Sequence, residues 1–251
     1  MAEIKQIQQR LLEMAVIIRD LLERNSIPYF ITYGTLLGAV RHKGFIPWDD
    51  DFDFYLFDDS YDLALECLRK NLPNNLFLEY FDTEPLYFHD WAHVKDLYSK
   101  CDYSLYPQDG LYSHTGLSID LYRIKKIRAI EEKLYRTQKH LEYLNRRKEK
   151  KLIDENEYKD RITGLLSEID IQKKIVKENK EDSVYIYCPQ IFYDDRLFED
   201  ELFPLKQYTF EGNLFYGPNN AEALLKRCYG DYMKLPPEDQ RKFHGENVII
   251  F

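Results

Sequence analysis

Long hydrophobic runs are missing from this sequence. No uninterrupted apolar stretch approaches the ~18 residues that a membrane span requires. The N-terminus, MAEIKQIQQR, also lacks the basic-then-apolar layout of a secretory signal, so the expected location is cytoplasmic. Cysteine is scarce. Cys67, Cys101, Cys188 and Cys228 lie far apart and form no CxxC, which argues against a zinc knuckle and a disulfide scaffold. Positive charge is in deficit, with 35 Lys and Arg against 44 Asp and Glu, a formal net charge of −9. Such a chain is a poor partner for nucleic acid by bulk charge. Aromatics, by contrast, are plentiful. With 21 Tyr, 15 Phe and 44% hydrophobic residues in 251, the chain has material for one sizeable core and is not disordered.

The net charge hides an asymmetry. Residues 125–180 carry 17 basic and 11 acidic side chains, a net of +6, so the remainder carries −15. That basic stretch has a helical pattern with a break near 152–156 and no proline, and it is read as a helical hairpin. Around it, residues 4–24 have the spacing of an amphipathic helix, closed by Asn25-Ser26 and Pro28. Strands are expected at 27–33, 51–57, 76–81, 86–98, 116–122 and 183–188, with a β-hairpin around Glu211-Gly212-Asn213. Helices are expected at 36–40, 61–71 and 221–229, the last closed by Gly230. The fold class is therefore α+β: a mixed sheet flanked by helices, formed by residues 1–124 and 181–251, with 125–180 as an inserted basic appendage.

The chemistry concentrates in residues 33–54, YGTLLGAVRHKGFIPWDDDFDF. On a strand, Asp51 and Asp53 point to one face, and Phe52 and Phe54 to the other, toward a core. Two close carboxylates repel each other, and a divalent cation relieves that repulsion. Upstream, the Gly34-Thr35 turn offers backbone N–H groups to a phosphate. Asp120, between Ile119 and Leu121, is the candidate third carboxylate on a neighbouring strand. A phosphate turn, a D-x-D strand and a third carboxylate are the parts of a nucleotidyltransferase-type site, where magnesium or manganese assists phosphoryl transfer. Plainer readings stand beside these. Asp49 and Asp50 fit turn or cap roles, Asp120 could simply accept backbone hydrogen bonds, and Arg41-His42-Lys43 could be a solvated run. His89, His93 and His114 match no zinc spacing and are assigned to core or loops.

The stretch GTLLGAVRHKGFIPWDDDFD closely resembles the LicD family of phosphotransferases, which includes bacterial cholinephosphotransferases and the fukutin-related proteins. Gly116–Tyr122 and the C-terminal blocks Pro204–Phe210 and Tyr229–Pro237 are similar to family segments as well. The resemblance implies a nucleotidyltransferase-like core that moves a phospho-alcohol from a CDP-linked donor to a sugar hydroxyl. The acceptor would be a cell-surface glycan: a teichoic acid, lipopolysaccharide or capsule precursor. By position, Asp51, Asp53 and Asp120 take the catalytic and metal-ligand roles, and Gly34 and Thr35 the phosphate turn. Lys95 matches a basic position that would neutralise donor phosphate, and Arg41, His42 and Lys43 are candidate charge stabilisers. CDP-choline is the first donor considered, with Trp48 as an aromatic contact for its quaternary ammonium. CDP-ribitol and CDP-glycerol are alternatives; NMP transfer and a non-catalytic binding subunit are more distant ones. The basic hairpin either meets an anionic membrane surface at the inner face of the membrane or packs on protein with its charges solvated.

Overall fold

The structure, a computed structural model, describes residues 2–103, 110–180, 184–188, 195–241, 243 and 245–251. Helix α1 (Ile4–Arg24) buries Ile7, Leu11, Met14, Ala15, Ile18 and Leu22 on one stripe, the period its sequence prescribes. Strand β1 (Tyr29–Ile31) follows, then α2 (Tyr33–Arg41), β2 (Asp53–Phe57), α3 (Tyr61–Asn71), β3 (Leu76–Glu79), β4 (Ala92–Asp96) and β5 (Ser99–Tyr103). Strand β6 (Ser118–Arg128) leads into helices α4 (Glu132–Glu149) and α5 (Glu155–Glu178). The chain ends with β7 (Tyr185–Cys188), β8 (Leu197–Phe198), α6 (Glu199–Leu202), β9 (Lys206–Phe210), β10 (Asn213–Gly217), α7 (Ala221–Tyr229) and β11 (Gly245–Ile250).

The main sheet is mixed and has seven strands in the order β1-β2-β6-β4-β3, with β7 and β8 continuing from the far half of β6. β2 and β6 run parallel and the other pairs are antiparallel. The α+β class with a sheet flanked by helices is thus as expected. β2 is buried along its whole length rather than alternating: Phe54 packs against Phe215, and Tyr55 against Tyr33 and Tyr122. Phe52 and Phe54 pack with Phe210 and Phe215, placing the β9–β10 hairpin over the core. The turn of that hairpin needs positive φ at Glu211 (46°) and Gly212 (74°), as its sequence suggested.

Four boundaries differ from the sequence reading. The helix after Gly34 begins at Tyr33, so Gly34 and Thr35 lie in its first turn rather than before it. β2 begins at Asp53, leaving Asp51 in the approaching loop. Only Ala92–Asp96 of the expected 86–98 strand pairs; Tyr87 and Phe88 fill a small aromatic cluster with Tyr112 instead. Residues 125–128 are strand, since Ile124 and Ile127 are buried in β6, and the helical segment starts only at Glu132. The residue Ser183, expected in the last strand of that series, lies outside the described residues.

Helices α4 and α5 pack antiparallel, with Asp154 capping α5 by accepting from Asn156 N and Glu157 N. α4 lies against the body through its arginines. Arg136 reaches Asp195, Arg146 pairs with Asp90 and donates to His89 O, and Arg147 covers the Phe88 ring. α5 is mostly exposed, with only Ile169 and Gln172 buried. Among the described residues, no helix is long and apolar enough to cross a membrane.

Candidate active site

The site is built where the parallel pair β2–β6 meets the N-terminus of α2. Tyr33 opens that helix with φ of 45°, a left-handed conformation that a bulky residue adopts only under constraint. Thr35, two residues on, is 2% exposed, and its hydroxyl accepts the N–H of Asp53 at 2.8 Å. Its side chain therefore clasps α2 to β2. Gly34 is required by a close approach. A Cβ there would stand 2.7 Å from Asp49 Oδ2.

The loop carrying Asp49, Asp50 and Asp51 is held from two directions. From α1, the buried Gln8 amide donates to Ile46 O at 3.1 Å and to Asp49 O at 2.8 Å. From β11, Gly245 N donates to Asp50 Oδ2 at 2.8 Å. The Asp50 side chain and the Asp49 carbonyl thus hold the loop in place.

Register then aligns four ionisable residues in one row across the sheet. Asp53 on β2 is opposite Asp120 on β6, Asp120 is opposite His93 on β4, and His93 is opposite Glu79 on β3. Residues in register share a face. Their side chains do meet: His93 Nε2 is 3.2 Å from Asp120 Oδ1, and His93 Nδ1 is 3.3 Å from Glu79 Oε2. Tyr122 donates to Asp120 Oδ2 at 2.9 Å, so both carboxylate oxygens are oriented. Lys95 lies one same-face position beyond His93, 1% exposed, with Nζ 3.9 Å from Glu79. Asp120 keeps 26% of its side chain exposed, so this end of the row is open to a ligand. Burial pushes its carboxyl above the ordinary aspartate value; His93 lowers it, and the charge of Asp51 raises it again. Among the described residues, no three His, Cys, Asp or Glu side chains already converge on a point suited to a metal.

The remaining candidates lie further out. Arg41 closes the far end of α2, donating to His42 Nε2 at 2.9 Å and to Tyr232 O at 2.7 Å. Burial lowers both the Arg41 and His42 values. Lys43 is exposed, and its carbonyl accepts Glu211 N. The Trp48 ring has the Arg241 guanidinium over it at 4.6 Å, a resident cation on one of its faces. His89 packs on Trp91 and on the His93 ring, at centroid distances of 4.6 and 5.1 Å, and His114 lies near Phe77.

Sequence reasoning missed His93, Glu79 and Gln8. A signal existed for His93: polar His93 and Lys95 alternate with apolar Ala92 and Val94, the period of a strand with one charged, functional face. Glu79 and Gln8 carried no such signal, because their partners are set by tertiary pairing.

A family profile described as LicD/FKTN/FKRP, nucleotidyltransferase domain matches residues 26–143. The chain is also 29% identical over 242 residues to the lipopolysaccharide cholinephosphotransferase LicD of Haemophilus influenzae, covering 89% of each chain. The chain is thus similar to LicD-family proteins. The matched span contains every member of the row, together with the α2 turn and Asp51. Two uncharacterised rickettsial proteins share shorter stretches with this chain. The one from Rickettsia typhi is 32% identical over 113 residues, covering 43% of this chain and 35% of its own. The one from Rickettsia prowazekii is 54% identical over 41 residues, covering 16% of this chain and 15% of its own.

Proposed function

We propose that this chain is a phosphotransferase with a nucleotidyltransferase-like core, moving phosphocholine from CDP-choline to a sugar hydroxyl of a cell-surface glycan. The observation that carries the reading is its similarity, along 89% of both chains, to a protein named as a lipopolysaccharide cholinephosphotransferase. The row Asp53–Asp120–His93–Glu79 supports it, as a charged line that a purely structural sheet has no reason to bury.

Asp51, Asp53 and Asp120 would hold magnesium, or manganese in its place. All three are hard oxygen donors, and the repulsion by which Asp51 raises the Asp120 value is what a cation relieves. When bound, the ion would neutralise charge on the donor pyrophosphate. The chain's own residues do the rest. The first-turn N–H groups of α2 bind donor phosphate. The acceptor hydroxyl oxygen attacks the phosphorus of phosphocholine, and the bond from that phosphorus to the CMP oxygen breaks. Asp120 either takes the hydroxyl proton or holds a second cation. His93 and Tyr122 keep its two oxygens oriented. Buried Lys95 acts through its charge on the row rather than by direct reach to solvent.

A second reading, transfer of ribitol or glycerol phosphate, is favoured by one observation: Arg241 already covers a face of Trp48. Of the two roles considered for the basic segment, packing on the body is favoured by the contacts of Arg136 and Arg146. The experiment is a donor screen. Purified protein with magnesium and a glycan acceptor is given CDP-choline, CDP-ribitol or CDP-glycerol, and CMP release and acceptor mass are followed. CMP release and a phosphocholine increment with CDP-choline support the first reading. A response confined to another donor supports the second, and an NMP increment overturns both.

A further inference from the structure

Asp195 lies outside the family-matched span, yet it is tied to the site from beneath. It is 0% exposed. The hydroxyls of Tyr33 and Tyr55 lie as donors 2.5 and 2.7 Å from its Oδ2, and 2.5 Å from each other. Arg136, from the second turn of α4, places Nη2 3.4 Å from Oδ1, and Glu132 Oε1 accepts from Arg136 Nε at 3.0 Å. A buried carboxylate is retained only when paired and hydrogen-bonded, and this one has two phenols and a guanidinium.

What the cluster holds is the strained residue. Tyr33 has a left-handed backbone at the first position of α2, a conformation that persists only where its surroundings impose it. Its N-cap, Thr32, makes no side-chain capping bond, so the helix start is not fixed in the usual way. The phenol of Tyr33, pinned by Asp195 and Tyr55, does so instead. The same ring stands edge-on to Tyr122 at 5.4 Å, and Tyr122 donates to Asp120. One cluster thereby reaches both the α2 turn and the third carboxylate.

We infer that Asp195 and Arg136 are positioning residues, fixing Tyr33 and through it the first turn of α2 and the Tyr122–Asp120 pair. Helix α4 is then a strut of the transfer site rather than an appendage. The inference rests on the proposed function only in naming the ligand of that turn as a CDP-linked donor.

The test compares the full chain with Tyr33→Phe, Arg136→Met and Arg136→Lys, and with Arg161→Met as a control at an exposed pair on α5. Two readouts are taken. In unliganded protein, hydrogen exchange is followed at the amides of Leu36 to Gly38, where Leu36 N bonds Thr32 O. With CDP-choline, KM and kcat for CMP release are separated. Tyr33→Phe and Arg136→Met are expected to speed exchange in that turn at least tenfold over the change in α3. They should also raise the donor KM at least fivefold, with a smaller fall in kcat from the loosened Tyr122–Asp120 pair. Arg136→Lys should restore most of both, and Arg161→Met should change neither. Unaltered exchange in the α2 turn of Tyr33→Phe and Arg136→Met overturns the inference, even where melting temperature falls. A wild-type chain inert toward CDP-choline would sink the donor assignment, while the exchange result would still decide the strut.

Discussion

Replacing Gln8 by Leu should damage the site from the far side of the molecule. The Gln8 amide is 7% exposed and donates to the carbonyls of Ile46 and Asp49, whose loop is itself largely buried. A buried hydrogen bond contributes about 1 kcal/mol net, and a carbonyl left without a donor costs about 1–3 kcal/mol. Leu fills similar volume, so the transfer term is small. Ile46 O keeps the Asp49 N–H as a donor, so the main cost falls on Asp49 O and the loss is about 2 kcal/mol. For a chain of this length that corresponds to a fall of about 4–8 °C in melting temperature. Gln8→Glu has the right shape but presents a carboxylate to two carbonyls, so it should be at least as damaging near neutral pH and partly recover in acid. Urea unfolding gives the stability change, and CMP release gives activity. Activity should fall by more than the folded fraction explains, because the freed loop carries Asp51. A Gln8→Leu protein within about 0.5 kcal/mol of wild type and fully active would refute the reasoning.

Other expectations follow from the same geometry. In Gly34→Ala, the new Cβ would meet Asp49 Oδ2 at 2.7 Å. The helix propensity gain of about 1 kcal/mol offsets the strain, so CMP release should fall about tenfold with melting nearly unchanged; equal activity would contradict the close approach. His93→Leu strips the imidazole from Glu79, which is 0% exposed, so unfolding should become easier by about 3 kcal/mol. Adding Glu79→Gln should recover more than about 1 kcal/mol of that loss, and strict additivity in the double-mutant cycle would argue against the contact. Burial raises Asp90 and Asp195 above the ordinary value of 3.8. The folded chain therefore keeps their protons where the unfolded chain has lost them, and their contribution to stability falls as pH rises from about 4 through the folded values. Asp195→Asn should flatten that slope in thermal melts; an unchanged slope would remove Asp195 from the account.

The part of the site that is local in sequence was legible there. Gly34, Thr35, Asp51 and Asp53 lie in one window, and Asp120 stands out as a carboxylate between Ile119 and Leu121. The part made by pairing was not. β3, β4 and β6 are joined out of chain order around β2, so nothing in the sequence aligned Glu79 and His93 with Asp120. The hairpin boundary was misplaced because Lys125 and Lys126 stand side by side between buried Ile124 and Ile127, breaking the two-residue strand period and reading as part of the charged segment. The 86–98 stretch was misread for the opposite reason. Tyr87, Phe88 and Trp91 have strand composition, but their rings fill an aromatic cluster where the backbone does not pair.

The central claim is that the carboxylates gathered by the β2–β6 register perform phosphocholine transfer. The most direct test measures CMP release from CDP-choline, with magnesium and acceptor, for wild type, Asp53→Ala and Asp120→Ala matched for melting behaviour. The account predicts turnover by wild type and a loss of at least about a thousandfold in each variant. Wild-type rates in either folded variant would contradict it.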